Sequence, residues 1–190
     1  MVPPQDVGDD SALMIPSQAE MGELDEAWAA ALSEAEQRAR LAGRKDVAEY
    51  LALRNSNDLI RQAGVDWLIA GFTALAGDAN RAGASIQISK KEDHRFPMGT
   101  STMVGHLLTL TSGVRTLWIE AGWPRTPRDG FVRGGGLACA NIRHMGIKSA
   151  SDELLLSKST NGVPAWKSQL KARPPIHESD LRRHIGILIG

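Results

Sequence analysis

The segment Gly122–Gly136 concentrates the residues of this chain that are best suited to bind a ligand. Its candidate binding residues are Trp123, Arg125, Arg128, Arg133, Gly134, Gly135 and Gly136, and its one acid is Asp129. Guanidinium groups bind phosphate and carboxylate through paired hydrogen bonds. A run of glycines lets backbone N–H groups come close to an anion. The segment therefore predicts a site for an anionic ligand or partner, on a connection longer than most loops between strands.

The same composition also has a purely structural explanation. Glycines can form a bulge that curves a sheet, and the arginines can pair with Glu120, with Asp129 or with acidic helices. The segment matches neither the phosphate loop, which ends in Lys-Ser/Thr, nor the dinucleotide fingerprint, which opens a helix. Both explanations therefore stay open on the sequence.

Histidine and cysteine supply the remaining candidates for catalysis. His106 and His144 lie on predicted strands and could meet across the sheet, where either would serve as general base for a substrate held by the loop arginines. The five histidines show no zinc-like spacing with Cys or a carboxylate, so we expect no metal site and no cofactor. Cys139 lies between two alanines, which predicts a small buried side chain.

A polar run interrupts the apolar stripe of the second predicted helix; it contains Arg54, Asn55, Asn57, Asp58 and Arg61. Helical spacing puts Arg54, Asp58 and Arg61 on one face, as half of an active cleft or a buried network would require. A helix cap or an internal salt bridge is the simpler explanation, and we expect one of these.

The apolar periodicity predicts helices first and strands afterwards. A capping box at Ser17–Glu20 begins a helical region that reaches residue 83, in which Trp28 and Trp67 lie on apolar stripes and are expected in the core. We expect Leu68, Phe72 and Leu75 beside Trp67 in one central helix.

From residue 84 apolar residues alternate, which is typical of strands. The predicted strands lie near residues 86–88, 104–110, 114–121, 137–145, 153–158 and 164–166, with a hairpin signal at Asn161–Gly162. The mixed-charge run Lys90–Arg95 is expected to be a solvated connection, and residues 177–189 a terminal helix or an edge segment. The fold class is therefore α+β, with two or three N-terminal helices packed on a curved antiparallel sheet of five or six strands.

Length and composition indicate one ordinary globular domain. The 190 residues are 42% hydrophobic and 23% charged. We expect a flexible acidic arm over 1–16 and a single domain over 17–190, made of helices (17–83), sheet (84–170) and a C-terminal segment (171–190). The sequence contains no apolar run of membrane-spanning length and no secretory signal at its start, which predicts a cytoplasmic protein without a membrane partner.

The charge is divided unevenly although the net charge is zero. Residues 1–83 carry 7 Lys or Arg and 14 Asp or Glu, whereas residues 84–190 carry 15 and 8. A basic second half suits an anionic small molecule or nucleic acid, unless the two halves simply neutralise each other. The sequence therefore favours a non-enzymatic binding module for an anionic ligand or partner. The alternatives are a small enzyme acting on a phosphorylated or carboxylated substrate, and a structural homo-oligomer whose acidic and basic halves meet between subunits.

Overall fold

The computed structural model describes residues 18–158, 162–169 and 174–190, so the predicted arm and Ser17 of the capping box lie outside the described residues. The helices in this part of the chain are α1 (Gln18–Leu41), α2 (Lys45–Arg81) and α3 (Glu178–Ile189). The strands are β1 (Gln87–Met98), β2 (Ser101–Ser112), β3 (Arg115–Trp123), β4 (Ala138–His144), β5 (Asp152–Lys158) and β6 (Pro164–Ser168). They form one antiparallel sheet in the order β1-β2-β3-β4-β5-β6, which confirms the α+β class.

Contacts group the chain into two compact units, residues up to Asn55 and residues from Ser56, and the extent of the single domain stays a prediction. In the first unit Leu32, Ala39 and Ala48 are buried. Trp28 is 52% exposed, so its predicted core position is wrong. The Arg54 guanidinium lies 5.5 Å from the centre of the Trp28 ring, a cation–π contact that suits an indole at the surface.

The polar run after Tyr50 does not interrupt α2, which continues through it for 37 residues. The run contains a salt bridge between Arg61 Nη1 and Asp58 Oδ1, 2.6 Å apart and one helical turn from each other. The predicted internal salt bridge is therefore confirmed, and a helix cap at this point is excluded because the helix neither begins nor ends here.

The expectation that Lys90–Arg95 is a solvated connection is wrong, because these residues lie in the edge strand β1. The strand is 12 residues long. The register between β1 and β2 shifts between Lys91 and His94, and Asp93 has a positive φ of 53° within this bulge. Charged residues are tolerated because an edge strand leaves their side chains in water.

The main core lies between the sheet and the two helices of the second unit. Leu68, Phe72 and Leu75 of α2 are buried as predicted, and they pack with the alternate residues of the strands that face them. From α3 the core receives Leu181, Ile185 and Leu188. Trp67 is 44% exposed, so its predicted burial is wrong. The residue after it, Leu68, belongs to the buried stripe, and successive helical residues point about 100° apart.

Two glycines lie directly opposite each other where β2 and β3 approach closely, and this close approach is called the crease below. Gly105 of β2 pairs with Gly122 of β3. A Cβ atom at Gly105 would overlap the Ala121 carbonyl oxygen, and one at Gly122 would lie 2.5 Å from the Val104 carbonyl oxygen. The strands can come this close only because neither residue has a side chain.

The β1–β2 hairpin contributes to a second apolar cluster. Phe96 and Met103, each 1% exposed, pack there with Cys139. Cys139 is buried as predicted. Burial raises the pKa of the thiol to about 11, so the reactive thiolate is disfavoured.

Gly105→Ala should destabilise the second unit strongly, because the new methyl group must displace backbone of β3 rather than a flexible side chain. We expect a loss of about 3 kcal/mol or more in the free energy of urea unfolding. The matched control is Gly186→Ala in α3, where a Cβ atom meets nothing within 4 Å. This control should be stabilised by about 0.5–1 kcal/mol. Equal stabilities of the two variants would contradict the crease.

Candidate functional site

The segment predicted to bind anions forms the connection between β3 and β4. It contains two short turns of 3-10 helix, Pro127–Asp129 and Arg133–Gly135. Its first part contacts β2. Its second part returns to β4 through Leu137, whose N–H donates to the Leu156 carbonyl and whose own carbonyl accepts from Arg61 Nε at 3.0 Å. The connection, called the basic loop below (residues 124–136), is thus attached to the fold at both ends.

Asp129 organises the first half of the basic loop from inside. Its carboxylate is buried and accepts from the backbone N–H and the hydroxyl of Thr126, both at 2.9 Å, and from the Arg95 guanidinium on β1. The hydrogen bond from the Thr126 side chain is the main cause that lowers the pKa of Asp129, with the Arg95 charge acting in the same direction. The one acid of the loop is therefore satisfied by Thr126 and Arg95, not by the loop arginines.

The second half of the basic loop is fixed by backbone geometry and close packing. The Ser101 hydroxyl donates to the Phe131 carbonyl at 2.9 Å and accepts from the Phe131 N–H at 3.2 Å. Gly134 and Gly135 have positive φ angles of 71° and 69°. A side chain at Gly136 would overlap Leu155. The glycines thus form a tight turn against β5, and not the strand bulge that the structural explanation required.

The three arginines of the basic loop point away from these internal bonds. Arg125 lies over the Trp123 ring, with 3.9 Å between its guanidinium carbon and the ring centre. Arg133 donates to the Thr100 hydroxyl at 3.1 Å. All three arginines are exposed, and within the described ranges none of them forms a salt bridge with a carboxylate. Asp129 bonds to Arg95, and Glu120 bonds to His94, Asn141 and Arg143, so neither acid pairs with a loop arginine as the structural explanation suggested.

The two candidate bases do not meet. Both His106 and His144 lie on the helix-facing side of the sheet, but His106 pairs with Ala121 and His144 with Leu117. These partners are four residues apart on β3, about 13 Å along the strand. The expectation that the two imidazoles meet across the sheet is therefore wrong.

His144 belongs to a buried network that the sequence analysis missed. Its Nε2 lies 2.9 Å from Nδ1 of His184, whose Nε2 is 3.3 Å from Asp152 Oδ2. Arg183 donates to the same oxygen at 3.1 Å. Burial lowers the pKa of both histidines, that of His184 to about 4. This network joins α3 to the sheet, and no short sequence spacing connects its members.

A second polar network, also missed, lies on the other side of the sheet beside the crease. His94 Nε2 on β1 is 2.8 Å from Glu120 Oε1 on β3, so the imidazole reaches across β2. The intervening position on β2 is Gly105, which pairs with His94 and has no side chain to block this reach. Asn141 and Arg143 contact the other oxygen of Glu120, at 3.2 and 3.3 Å. In the sequence, the only signal for this contact was a glycine within one predicted strand and a glycine directly after the next, Gly105 and Gly122.

No family model, no curated protein and no solved structure matches this chain. Among the described residues, no helix is long and apolar enough to cross a membrane. In the same residues no group of three His, Cys, Asp or Glu side chains is arranged to hold a metal ion.

Asp129→Ala should loosen the basic loop, because three donors lose their shared acceptor. We expect a lower melting temperature and faster tryptic cleavage at the loop arginines. The control is Asp78→Ala, which removes an exposed carboxylate paired with Arg81 on the same helix and should leave both quantities unchanged within error. Similar behaviour of the two variants would mean that Asp129 does not hold the loop.

Acid should destabilise the second unit through the His144–His184 pair. The folded-state pKa of His184, about 4, lies below its ordinary value of 6.5, so between these values the unfolded chain binds the proton more readily. Stability is therefore complete above pH 6.5 and falls as the pH drops towards 4. We expect a loss of about 2 kcal/mol at pH 5 from this site. Urea unfolding of the wild type and of His184→Gln at pH 7.5 and pH 5 measures it, and an equal drop in both proteins would exclude the pair as the cause.

Proposed function

We propose that this chain is a non-enzymatic binding module whose basic loop takes an anionic ligand with Arg125, Arg128 and Arg133. One observation carries the proposal. Within the described ranges these three guanidinium groups have no carboxylate partner, while the loop's own acid is buried and bound to Arg95 and Thr126. Three exposed guanidinium groups on one loop, none of them paired with a carboxylate of the described residues, favour an external anion.

Most other arginines of the described chain are paired with a carboxylate, unlike those of the basic loop. Eight described arginines have a carboxylate partner within 4 Å; these are Arg38, Arg40, Arg61, Arg81, Arg95, Arg143, Arg182 and Arg183. The internal pairing that the structural explanation needs is thus common in this protein. Within the described ranges Arg44, Arg54 and Arg115 also lack such a partner, but they are far apart in the sequence, whereas Arg125, Arg128 and Arg133 fall within nine residues of one loop.

The internal bonds of the loop also favour binding because they fix its shape before a ligand arrives. Asp129 holds the first half, and the two hydrogen bonds between Ser101 and Phe131 hold the second. Arg61 fixes the carbonyl at the end of the loop. A segment that is ordered in advance loses less conformational entropy on binding, so more of the interaction energy appears as affinity.

The side-chain chemistry indicates oxyanions as the ligand class. The ring of Trp123 supports one face of the Arg125 guanidinium, which leaves the N–H edges for paired hydrogen bonds to phosphate, sulfate or carboxylate. The excess of 15 basic over 8 acidic residues after position 83 adds a longer-range attraction. We also propose that the protein is cytoplasmic, as expected from the sequence.

The test compares two triple variants with the same change in charge. R125Q/R128Q/R133Q alters the basic loop, and R38Q/R81Q/R182Q removes three exposed arginines elsewhere, each paired on its own helix. Calorimetry at about 0.1 M salt, where the Debye length is about 10 Å, measures the binding of phosphate, sulfate and a short single-stranded DNA. We expect the loop variant to lose at least about tenfold in affinity for the anions that bind the wild type, because each charge-assisted hydrogen bond contributes about 1.5–3 kcal/mol. The control variant should stay within about twofold of the wild type for a small anion, since distant exposed charges are largely screened.

Stability separates this proposal from internal pairing. The loop variant should melt within a few degrees of the wild type, because its arginines satisfy no buried carboxylate. A clear loss of stability with unchanged binding would support the structural explanation instead. Equal loss of binding in both triple variants would show that net charge, and not the basic loop, attracts the anion.

A further inference from the structure

His106 is the one half-buried or buried histidine of the described chain whose ring makes no hydrogen bond. His94 bonds to Glu120, and His144 and His184 bond to each other. The Nδ1 atom of His106 is buried without a hydrogen-bond partner among the described residues. A buried polar atom without a partner is costly, so the other three histidines are explained by internal structure and His106 is not.

The sheet register places His106 beside the first arginine of the basic loop. His106 pairs with Ala121, and Trp123 lies two residues further along β3 on the same face. Such diagonal neighbours are about 7–8 Å apart. The Arg125 guanidinium stacks on this Trp123 ring, so an anion bound to Arg125 would lie near the imidazole.

Four charged groups act on His106 from three elements. Lys90 and Glu92 lie on β1, Asp66 on α2 and Arg125 on the basic loop. Burial is the largest cause that lowers the pKa of His106; Lys90 and Arg125 lower it further, while Glu92 and Asp66 raise it. The imidazole is therefore mostly neutral at neutral pH. An anion on Arg125 would offset the two cations and favour the protonated ring.

We propose that His106 and Arg125 form one oxyanion site that takes a dianionic phosphoryl group, with His106 gaining a proton as the ligand binds. The inference rests on the proposed function and names its ligand class. The three terminal oxygens of a phosphoryl dianion point in different directions, so the group can accept from a guanidinium on one side and an imidazole on another. A planar carboxylate that pairs with one arginine through both oxygens has no third oxygen to offer the imidazole.

Proton uptake has a definite sign. If binding raises the pKa of His106, affinity must rise as the pH falls, by up to tenfold for each unit of that rise. Sulfate is the suitable probe because it stays a dianion between pH 6 and pH 8, so any pH dependence of its affinity belongs to the protein. Phosphate and methyl phosphate titrate in this range and are compared at pH 8 only.

The experiment is calorimetry with sulfate at pH 6, 7 and 8 on the full chain. We expect the affinity of the wild type to be about three- to tenfold higher at pH 6 than at pH 8. His106→Gln should bind more weakly at pH 6 and show no pH dependence. The matched control is His177→Gln, which changes the exposed imidazole before α3 and should retain the wild-type dependence.

A measurement on the wild type keeps the proposal testable if His106→Gln does not fold. Sulfate should shift the NMR titration of the His106 imidazole to higher pH, and phosphate and methyl phosphate should both bind at pH 8. Binding of phosphate without methyl phosphate would identify free phosphate as the ligand.

Three results would overturn the inference. A pH-independent affinity for sulfate, an unchanged His106 titration, or binding of DNA with no binding of sulfate or phosphate would each do so. The proposed function stays in place in these cases if R125Q/R128Q/R133Q still binds at least about tenfold more weakly than the wild type. Absence of binding to every anion tested would overturn the proposed function itself.

Discussion

The close contact of two glycines, Gly105 on β2 and Gly122 on β3, is the constraint on which the other features of the sheet depend. A side chain at either glycine would overlap the backbone of the neighbouring strand. Nearby, Phe96 and Met103 of the β1–β2 hairpin form a second apolar cluster with Cys139. The hairpin end also supplies Ser101, to which the basic loop is bonded. The loop is thus bonded to the hairpin whose second strand carries Gly105.

In this part of the molecule the acidic side chains Glu120 and Asp129 are buried, whereas the arginines of the basic loop are exposed. Acids that would attract the loop arginines are used inside the fold: Asp129 by Arg95 and Thr126, and Glu120 by His94, Asn141 and Arg143. Burying a carboxylate requires such partners, since an unpaired buried charge is costly. The outcome is a loop whose buried acid is satisfied and whose guanidinium groups are exposed.

The histidines illustrate the same separation between structure and proposed function. His144 and His184 form a buried pair that joins α3 to the sheet, and burial lowers the pKa of both. His94 bridges two strands through Glu120. His106 alone of these four is left without a hydrogen bond in the described residues. The four imidazoles therefore differ in their hydrogen bonds because the fold places different partners around each of them.

The sequence by itself determined the α+β class, the antiparallel order of the strands and the buried positions of Leu68, Phe72 and Leu75, because these follow from local periodicity. It also located the loop arginines. It did not determine that Lys90–Arg95 is strand, since a bulge and an edge position make charge acceptable there, nor that Trp28 and Trp67 are exposed.

Only the tertiary structure decided which side chains pair with the buried acids. Glu120 meets His94 across an intervening strand, and Asp129 meets Arg95 on β1, at separations of 26 and 34 residues. Such pairs depend on register and on the crease, and no spacing within a short stretch of sequence encodes either one.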